Sequence, residues 1–154
     1  MLDISTLEIA VETPTSHDSR ALIADSDAAL AKHYSKEQCF SFSVDELTAP
    51  NVEFLVARQS GQAVGCVALV DCMTYGEVKR LFVRDAARGA GIGMSLMAAA
   101  EQAARDVGLR VIRLETGARL AAAVAIYKSR GYRQIPAFGD YPAGSASQFF
   151  ERLL

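Results

Sequence analysis

The sequence lacks the features that mark membrane-spanning, secreted and nucleic-acid-binding proteins. Its 154 residues carry a formal net charge of −2, so we expect no general electrostatic attraction to nucleic acid or to an anionic membrane surface. No run of about 18 or more apolar residues occurs, and no membrane-spanning helix is therefore predicted. The N-terminal stretch MLDISTLEIAVETP lacks a basic segment followed by an apolar one, so we expect no secretory signal peptide.

Cysteine and histidine are also scarce. The three cysteines are Cys39, Cys66 and Cys72, and the two histidines are His17 and His33. An odd number of cysteines, two of them in apolar strand-like sequence, favours reduced core thiols and a cytoplasmic protein over a disulfide-bonded one. These side chains do not have the close spacing of metal ligands, so we predict no metal site and solvated histidines along the first helix.

Apolar residues make up 51% of the chain, enough for the core of a single globular domain over residues 1–154. Their periodicity, and the glycines that interrupt it, predict alternating strands and helices. The predicted strands lie at 7–11, at 52–70 as a hairpin turning at Ser60-Gly61, and at 77–83, 111–115, 133–135 and 148–152; the predicted helices lie at 16–33, 44–47, 91–108 and 121–129. This order is typical of an α+β or mixed-sheet α/β domain.

The segment RGAGIG at 88–93 places three alternating glycines between a predicted strand and a predicted helix. Glycine lets a backbone approach a ligand closely, and the unpaired N–H groups of a helix N-terminus attract anions. The Walker A phosphate-binding pattern is absent. A Rossmann dinucleotide site fits poorly, because Met94 stands where the third small residue belongs and the loop is too wide. The residues alone also leave open a glycine turn without a ligand.

The spacing Arg88-x-x-Gly91-x-Gly93 resembles the R/Q-x-x-G-x-G/A motif of the GNAT superfamily, the acetyl-CoA-dependent N-acetyltransferases. The resemblance covers roughly residues 52–135 and includes AVAIY at 123–127 followed by Gly131-Tyr132, whereas residues 1–50 match only in general plan. It implies a mixed, mostly antiparallel sheet flanked by about four helices, with two parallel strands splayed at the acetyl-CoA site. It also implies acetyl-CoA as cosubstrate, without a metal.

In that family the glycine loop binds the coenzyme A pyrophosphate, and the preceding strand binds the pantetheine. The resemblance therefore implies coenzyme-binding roles for Leu81, Phe82, Val83, Arg88, Gly89, Ala90, Gly91, Ile92, Gly93 and Met94. A backbone N–H of Phe82 or Val83 would polarise the thioester carbonyl. Arg84 and Arg88 would add positive charge beside the phosphates. Many members have an asparagine where this chain has Leu120, so we expect one weaker coenzyme contact.

Two residues are candidates for proton transfer. Tyr127 matches the tyrosine of the family's A-x-x-x-Y-x-x-x-G-[FY] pattern and would protonate the departing thiolate. The alternative is a core aromatic side chain on the helix face shared with Val124. Glu77 precedes Arg88 at the offset where some members carry a catalytic glutamate, and it would accept the proton of the amine. It could equally bind a cationic substrate or face solvent at the start of a strand.

In that family the acceptor site usually lies at the first two helices with their connection and at the final pair of strands, so the resemblance implies residues 32–47 and 136–150 here. Candidate lining residues are Tyr34, Lys79, Asp140 and Tyr141, because aromatic rings give shape and a carboxylate pairs with an ammonium group. Lys79 and Arg80 alternate with apolar neighbours, so one of the pair is predicted to face the cleft. An uncompensated lysine there would favour an anionic substrate. The alternative is that Pro136, Gly139, Pro142 and Gly144 merely mark a loop between two strands.

The resemblance predicts an enzyme of the small bacterial, single-domain type. The expected reaction is direct transfer of acetyl from acetyl-CoA to a primary amine of a small molecule, within a ternary complex. A peptide or protein acceptor is one alternative, and a non-catalytic acyl-CoA-binding module is another. Homodimerisation through sheet edges or the C-terminal strands is possible, since an uncovered strand edge must be protected.

Overall fold

A computed structural model describes residues 6–154, which build one seven-stranded sheet between two layers of helices. The strands are β1 (Leu7–Val11), β2 (Val52–Gln59), β3 (Gln62–Asp71), β4 (Gly76–Val83), β5 (Val111–Gly117), β6 (Arg133–Ile135) and β7 (Ser147–Leu153), and the helices are α1 (His17–Ala31), α2 (Val44–Leu47), α3 (Ile92–Asp106) and α4 (Ala121–Ser129). The strand order is β1-β2-β3-β4-β5-β7-β6, and β4 with β5 is the parallel pair. The predicted mixed, mostly antiparallel sheet with four helices is confirmed.

The hairpin of β2 and β3 forms the centre of the sheet. Its two-residue turn places Ser60 at φ +50° and Gly61 at φ +83°, as a type I′ turn requires. Residues 64–70 of β3 are buried on both faces, because helices cover the sheet from both sides.

Each helical layer packs through an apolar stripe. On one face of the sheet, α3 buries Leu96, Met97, Ala100 and Ala104 almost completely. On the other face, α1 and α2 supply a second core cluster. Helix α1 ends at Ala31, so the prediction that it reaches residue 33 is wrong by two residues.

A buried ionic network ties α3 to α4 and β7. Glu101 of α3 is fully buried, and its carboxylate accepts hydrogen bonds from Arg130, Arg152 and Tyr132. The Arg152 Nη1 distance is 2.8 Å and the Tyr132 hydroxyl distance is 2.9 Å. Because burying a charge without partners is costly, these contacts fix how the end of α4 sits against α3.

A bulge and a splay interrupt the sheet at β4. The register with β3 shifts between Cys66 and Ala68, and opposite this shift Arg80 adopts a left-handed φ of +60°. Parallel pairing of β4 with β5 ends at the Val78–Leu114 pair. Beyond it the two strands diverge and leave a gap, which is the splay that the resemblance implied.

The cysteines differ from expectation. All three are free thiols, but Cys66 is buried whereas Cys39 and Cys72 are partly exposed, so the prediction of core thiols holds for Cys66 alone. Between residues 6 and 154, no group of histidine, cysteine and acidic side chains is arranged to hold a metal ion. None of the helices in that range is long and apolar enough to cross a membrane.

Candidate active site

A groove of about 680 Å³ runs between the end of α1, the open edge of β4 and the first turn of α3. Nine of the ten residues predicted to bind the coenzyme line it, namely Leu81, Phe82, Val83, Arg88, Gly89, Gly91, Ile92, Gly93 and Met94. Ala90 instead packs against the core. The glycine loop and the strand before it therefore form one continuous surface.

The N-terminus of α3 is left open towards this groove. Its N-cap is Gly91, which has a φ of +81° and no side chain to accept the first N–H groups. No acidic residue lies in the first turn. A Cβ atom added at Gly89 or Gly91 would meet nothing within 4 Å, so there is room beside the loop. Unpaired N–H groups at the positive end of a 15-residue helix favour an anion at this point.

Three cationic side chains and one carboxylate line the groove, and they are not all of those that were predicted. Arg88 lines it, as do Lys32 and Arg119, which were not predicted. Asp85 lines it as well and lies 3.4 Å from Arg88 Nε. Arg84 turns away to α1, where it pairs with Asp25. Its predicted place beside the phosphates is therefore wrong, because a carboxylate on the neighbouring helix already holds the guanidinium.

The backbone of β4 presents N–H groups to the gap. Arg84 N–H donates to Val64 O of β3 at 2.9 Å. Since successive N–H groups of an extended strand point to opposite edges, the N–H of Phe82 also faces β3. The N–H groups of Leu81 and Val83 face the gap. Of the two predicted carbonyl polarisers, the geometry thus favours Val83.

A second, smaller cavity of about 110 Å³ lies on the α1 face of the sheet, beside the gap. It shares five wall residues with the groove: Ser26, Leu30, Leu81, Leu120 and Ala123. The two spaces therefore meet where β4 separates from β5. Leu120, which stands in place of the family's asparagine, contributes an apolar wall at this junction.

Tyr127 and Glu115 both line the small cavity, and the ring of Tyr127 also packs in the core against Tyr132 and Phe150. Burial, together with the nearby Glu115 carboxylate, raises the pKa of Tyr127 well above its ordinary value, so the phenol stays protonated. Glu115 stands at the open end of β5 and accepts a hydrogen bond from Ser147 Oγ at 2.5 Å. Burial raises the pKa of Glu115, although the Ser147 hydrogen bond and the charge of Lys79 oppose this.

Glu77 and Lys79 neutralise each other. The Glu77 carboxylate is buried outside both cavities, accepts the Tyr141 hydroxyl and lies 3.4 Å from Lys79 Nζ. Lys79 does line the small cavity, but its ammonium group also donates to Phe40 O at 2.9 Å and to Tyr141 Oη at 2.6 Å. The expectation of an uncompensated lysine is therefore wrong, because three partners already surround Nζ.

The bulge turns Lys79 and Arg80 to the same face, whereas strand alternation predicted that only one of them would reach the cleft. The side chain of Arg80 is 3% exposed. Its Nε donates to Phe42 O at 2.8 Å, and its Nη1 donates to Asp27 at 2.6 Å and to Ser26 Oγ at 3.3 Å. Nη2 has no hydrogen-bond partner within the described part of the chain.

Comparison with known proteins settles the family. A model of the acetyltransferase (GNAT) family matches residues 17–132, about three quarters of the chain. The chain belongs to the GNAT family. The mostly antiparallel sheet also excludes the Rossmann alternative, which requires a mostly parallel one.

Among relatives of this GNAT protein, an IAA acetyltransferase from Azospirillum brasilense is 39% identical over 148 residues, covering 95% of this chain and 97% of the relative. An aminoalkylphosphonate N-acetyltransferase from Salmonella typhimurium is 33% identical over 94 residues, covering 57% of this chain and 61% of that protein. A solved Klebsiella pneumoniae structure, assigned as an acyl-CoA N-acyltransferase, is 34% identical with a TM-score of 0.85 and covers 97% of this chain and 99% of that one.

The predicted acceptor residues lie in different places. Tyr34 lines the small cavity, and its hydroxyl accepts the Arg119 N–H at 2.8 Å. Tyr141 packs edge-on against Phe40 behind Lys79 and lines neither cavity. Asp140 is exposed and also lies outside both cavities, so the structure does not bring this carboxylate to the acceptor site.

Glu115 lines the small cavity, and sequence reasoning did not predict it there. The pattern VIRLE shows an acidic side chain at the end of a buried strand. That strand precedes the helix that carries Tyr127, so the signal was present in the order of elements. What the sequence did not show is that β5 parts from β4 just before Glu115, which opens space beside its carboxylate.

Proposed function

We propose that this GNAT protein is an enzyme that transfers acetyl from acetyl-CoA to a primary amine of a small molecule, by direct transfer in a ternary complex. The observation that carries the proposal is the junction of the two cavities at the gap between β4 and β5. The relatives support it, since their names describe the transfer of an acetyl or acyl group. In one case the name also describes an amine acceptor. The small volume of the second cavity favours a metabolite over a protein side chain.

The long groove would hold the coenzyme. Its pyrophosphate would accept hydrogen bonds from the N–H groups of the loop at 88–93 and the first turn of α3, with Arg88 beside it. The pantetheine would extend along the free edge of β4, adding to it like a further strand. The Val83 N–H would then donate to the thioester oxygen, whose negative charge grows in the tetrahedral transition state.

Two cavity side chains would move the protons. The acceptor binds as an ammonium ion beside Glu115, loses a proton to this carboxylate and attacks the thioester carbonyl. As the tetrahedral intermediate collapses, the carbon–sulfur bond breaks and Tyr127 donates its hydroxyl proton to the thiolate. The second proton of the acceptor nitrogen returns to the Tyr127 phenolate, and the proton held by Glu115 leaves to solvent. The raised pKa of Glu115 makes it a better base than an exposed carboxylate. We thus assign to Glu115 the part that the sequence suggested for Glu77.

The test is an assay of free thiol release from acetyl-CoA across a panel of amino acids, polyamines, aminoglycosides and peptides. We expect release with a small amine and a rise in melting temperature with acetyl-CoA alone. Tyr127→Phe is expected to lower kcat by about 100-fold or more, as for other general acids, with acetyl-CoA affinity nearly unchanged. Tyr75→Phe is the matched control, because Tyr75 lines neither cavity and should keep full activity.

Three outcomes would contradict the proposal. Thermal protection by acetyl-CoA without thiol release for any amine would favour the non-catalytic binding module. Equal loss of turnover and coenzyme affinity in Tyr127→Phe would give Tyr127 a packing role instead of an acid role. Full activity in Glu115→Gln would remove the assigned base.

A further inference from the structure

The small cavity is lined by Arg80, whose guanidinium group has donors without a hydrogen-bond partner in the described part of the chain. Arg80 is almost completely buried, and two of its three guanidinium nitrogens donate to Phe42, Asp27 and Ser26. The remaining nitrogen, Nη2, has no partner among residues 6–154, although Arg80 lines the cavity. Nη2 is not among the buried side-chain atoms left without a partner, so it is accessible from the cavity that Arg80 lines. A ligand that supplies an acceptor at this point gains a charge-assisted hydrogen bond.

The backbone at this point is also unusual. Arg80 occupies the left-handed region at φ +60°, which is unfavourable for a residue with a side chain. Without the bulge, Lys79 and Arg80 would point to opposite faces of the sheet. The bulge therefore brings the guanidinium into the same cavity as the Glu115 carboxylate. The lysine beside it does not compete for a ligand, since its ammonium group already has three partners.

From this arrangement we infer that the acceptor carries an anionic group, a carboxylate or phosphonate, in addition to its amine. The anionic group accepts a hydrogen bond from Arg80 Nη2, while the ammonium group faces Glu115. This inference rests on the proposed function. It narrows the acceptor from any small amine to a short zwitterion whose two charges span one compact cavity.

The test compares acceptors that differ in the anionic group alone. Glycine, β-alanine and 4-aminobutyrate are each assayed against glycinamide, β-alaninamide and 4-aminobutyramide by thiol release from acetyl-CoA. We expect kcat/KM to favour the acid over its amide by at least about tenfold for the chain length that spans the cavity. The amides have less basic amines and so more neutral amine at a given pH, which acts against the expected preference.

Two variants locate the preference. In Arg80→Gln the acid-over-amide ratio should fall to about one, mainly through a higher KM for the acid. Asp27→Asn is the matched control, because it removes a partner from the other side of the same guanidinium and should keep the ratio. Thermal unfolding of both variants checks that they fold. The acid-over-amide ratio of kcat/KM in the wild-type protein tests the inference even if neither variant folds.

The outcomes separate this inference from the proposed function. Thiol release that is equal for acids and amides, or higher for amides, would overturn the inference and leave the acetyltransferase in place. A ratio that survives Arg80→Gln would also overturn it. If no acceptor releases thiol while acetyl-CoA still raises the melting temperature, both fall.

Discussion

Replacing Glu101 by glutamine tests the buried network that joins α3, α4 and β7. The carboxylate is 0% exposed and holds two arginines, whose side chains are 21% and 26% exposed. Breaking a buried ion pair costs about 3–5 kcal/mol, and partial hydration of both guanidinium groups favours the lower end. We therefore expect Glu101→Gln to lose about 3 kcal/mol of unfolding free energy. For a domain of this size that loss lowers the melting temperature by about 6–12 °C, measurable by thermal and urea unfolding.

The matched control is Glu12→Gln, which makes the same chemical change in a more exposed pair. Glu12 and Arg58 form two contacts of 2.8 Å, with side chains 24% and 27% exposed, so the loss should stay at about 1 kcal/mol or less. Equal losses in the two variants would refute the reasoning.

Acidification gives an independent check on the same carboxylate. Burial alone would raise the pKa of Glu101, but hydrogen bonds from Arg130 and Tyr132 outweigh it and hold the pKa below the ordinary 4.5. A carboxyl whose pKa is lower in the folded than in the unfolded state stabilises the folded protein at neutral pH. This contribution decreases once the pH falls below the unfolded-state pKa and is lost as the pH passes the folded-state pKa. The stability gap between wild type and Glu101→Gln should therefore narrow in acid. A gap that stays constant down to low pH would contradict the assigned charge interaction.

Three further predictions concern the site. Gly91→Ala should cost about 1 kcal/mol in unfolding experiments because of its φ of +81°, and should weaken acetyl-CoA binding several-fold in calorimetry. Gly117→Ala places a Cβ against the hydroxyl and ring of Tyr34 and must displace that ring. Acceptor KM should therefore rise far more than in Tyr34→Phe, which loses only one hydrogen bond worth about 1 kcal/mol. With its raised pKa, Glu115 becomes protonated at a higher pH than an ordinary carboxyl, so the acid limb of kcat/KM should lie higher too; Glu115→Gln should lack this limb.

Local patterns were sufficient for most of the fold. Alternating apolar residues and the Ser60-Gly61 pair predicted the central hairpin, because both signals depend on neighbouring residues alone. The stripe of Leu96, Met97, Ala100 and Ala104 predicted α3 in the same way. The glycine loop also follows from local sequence, since a few residues set both its turns and the exposed helix end.

The acceptor side depends on contacts between distant residues, which the sequence did not reveal. The Glu77 carboxylate accepts a hydrogen bond from Tyr141, 64 positions later in the chain, and does not line either cavity. Strand alternation failed at Arg80 because a bulge inserts a residue without a clear sequence signal. Glu115 gained its surroundings from the divergence of β4 and β5, which is a property of the assembled sheet.

The extra residue in β4 has a consequence for how such proteins can diversify. One continuous backbone carries Arg80 and, further along, the N–H groups of Leu81 and Val83 that face the gap. If the proposed function holds, covalent geometry sets the spacing of the two reactants. Exchanging the single side chain at position 80 would then change which amine is accepted while the glycine loop stays intact, so acceptor choice and donor choice could evolve separately.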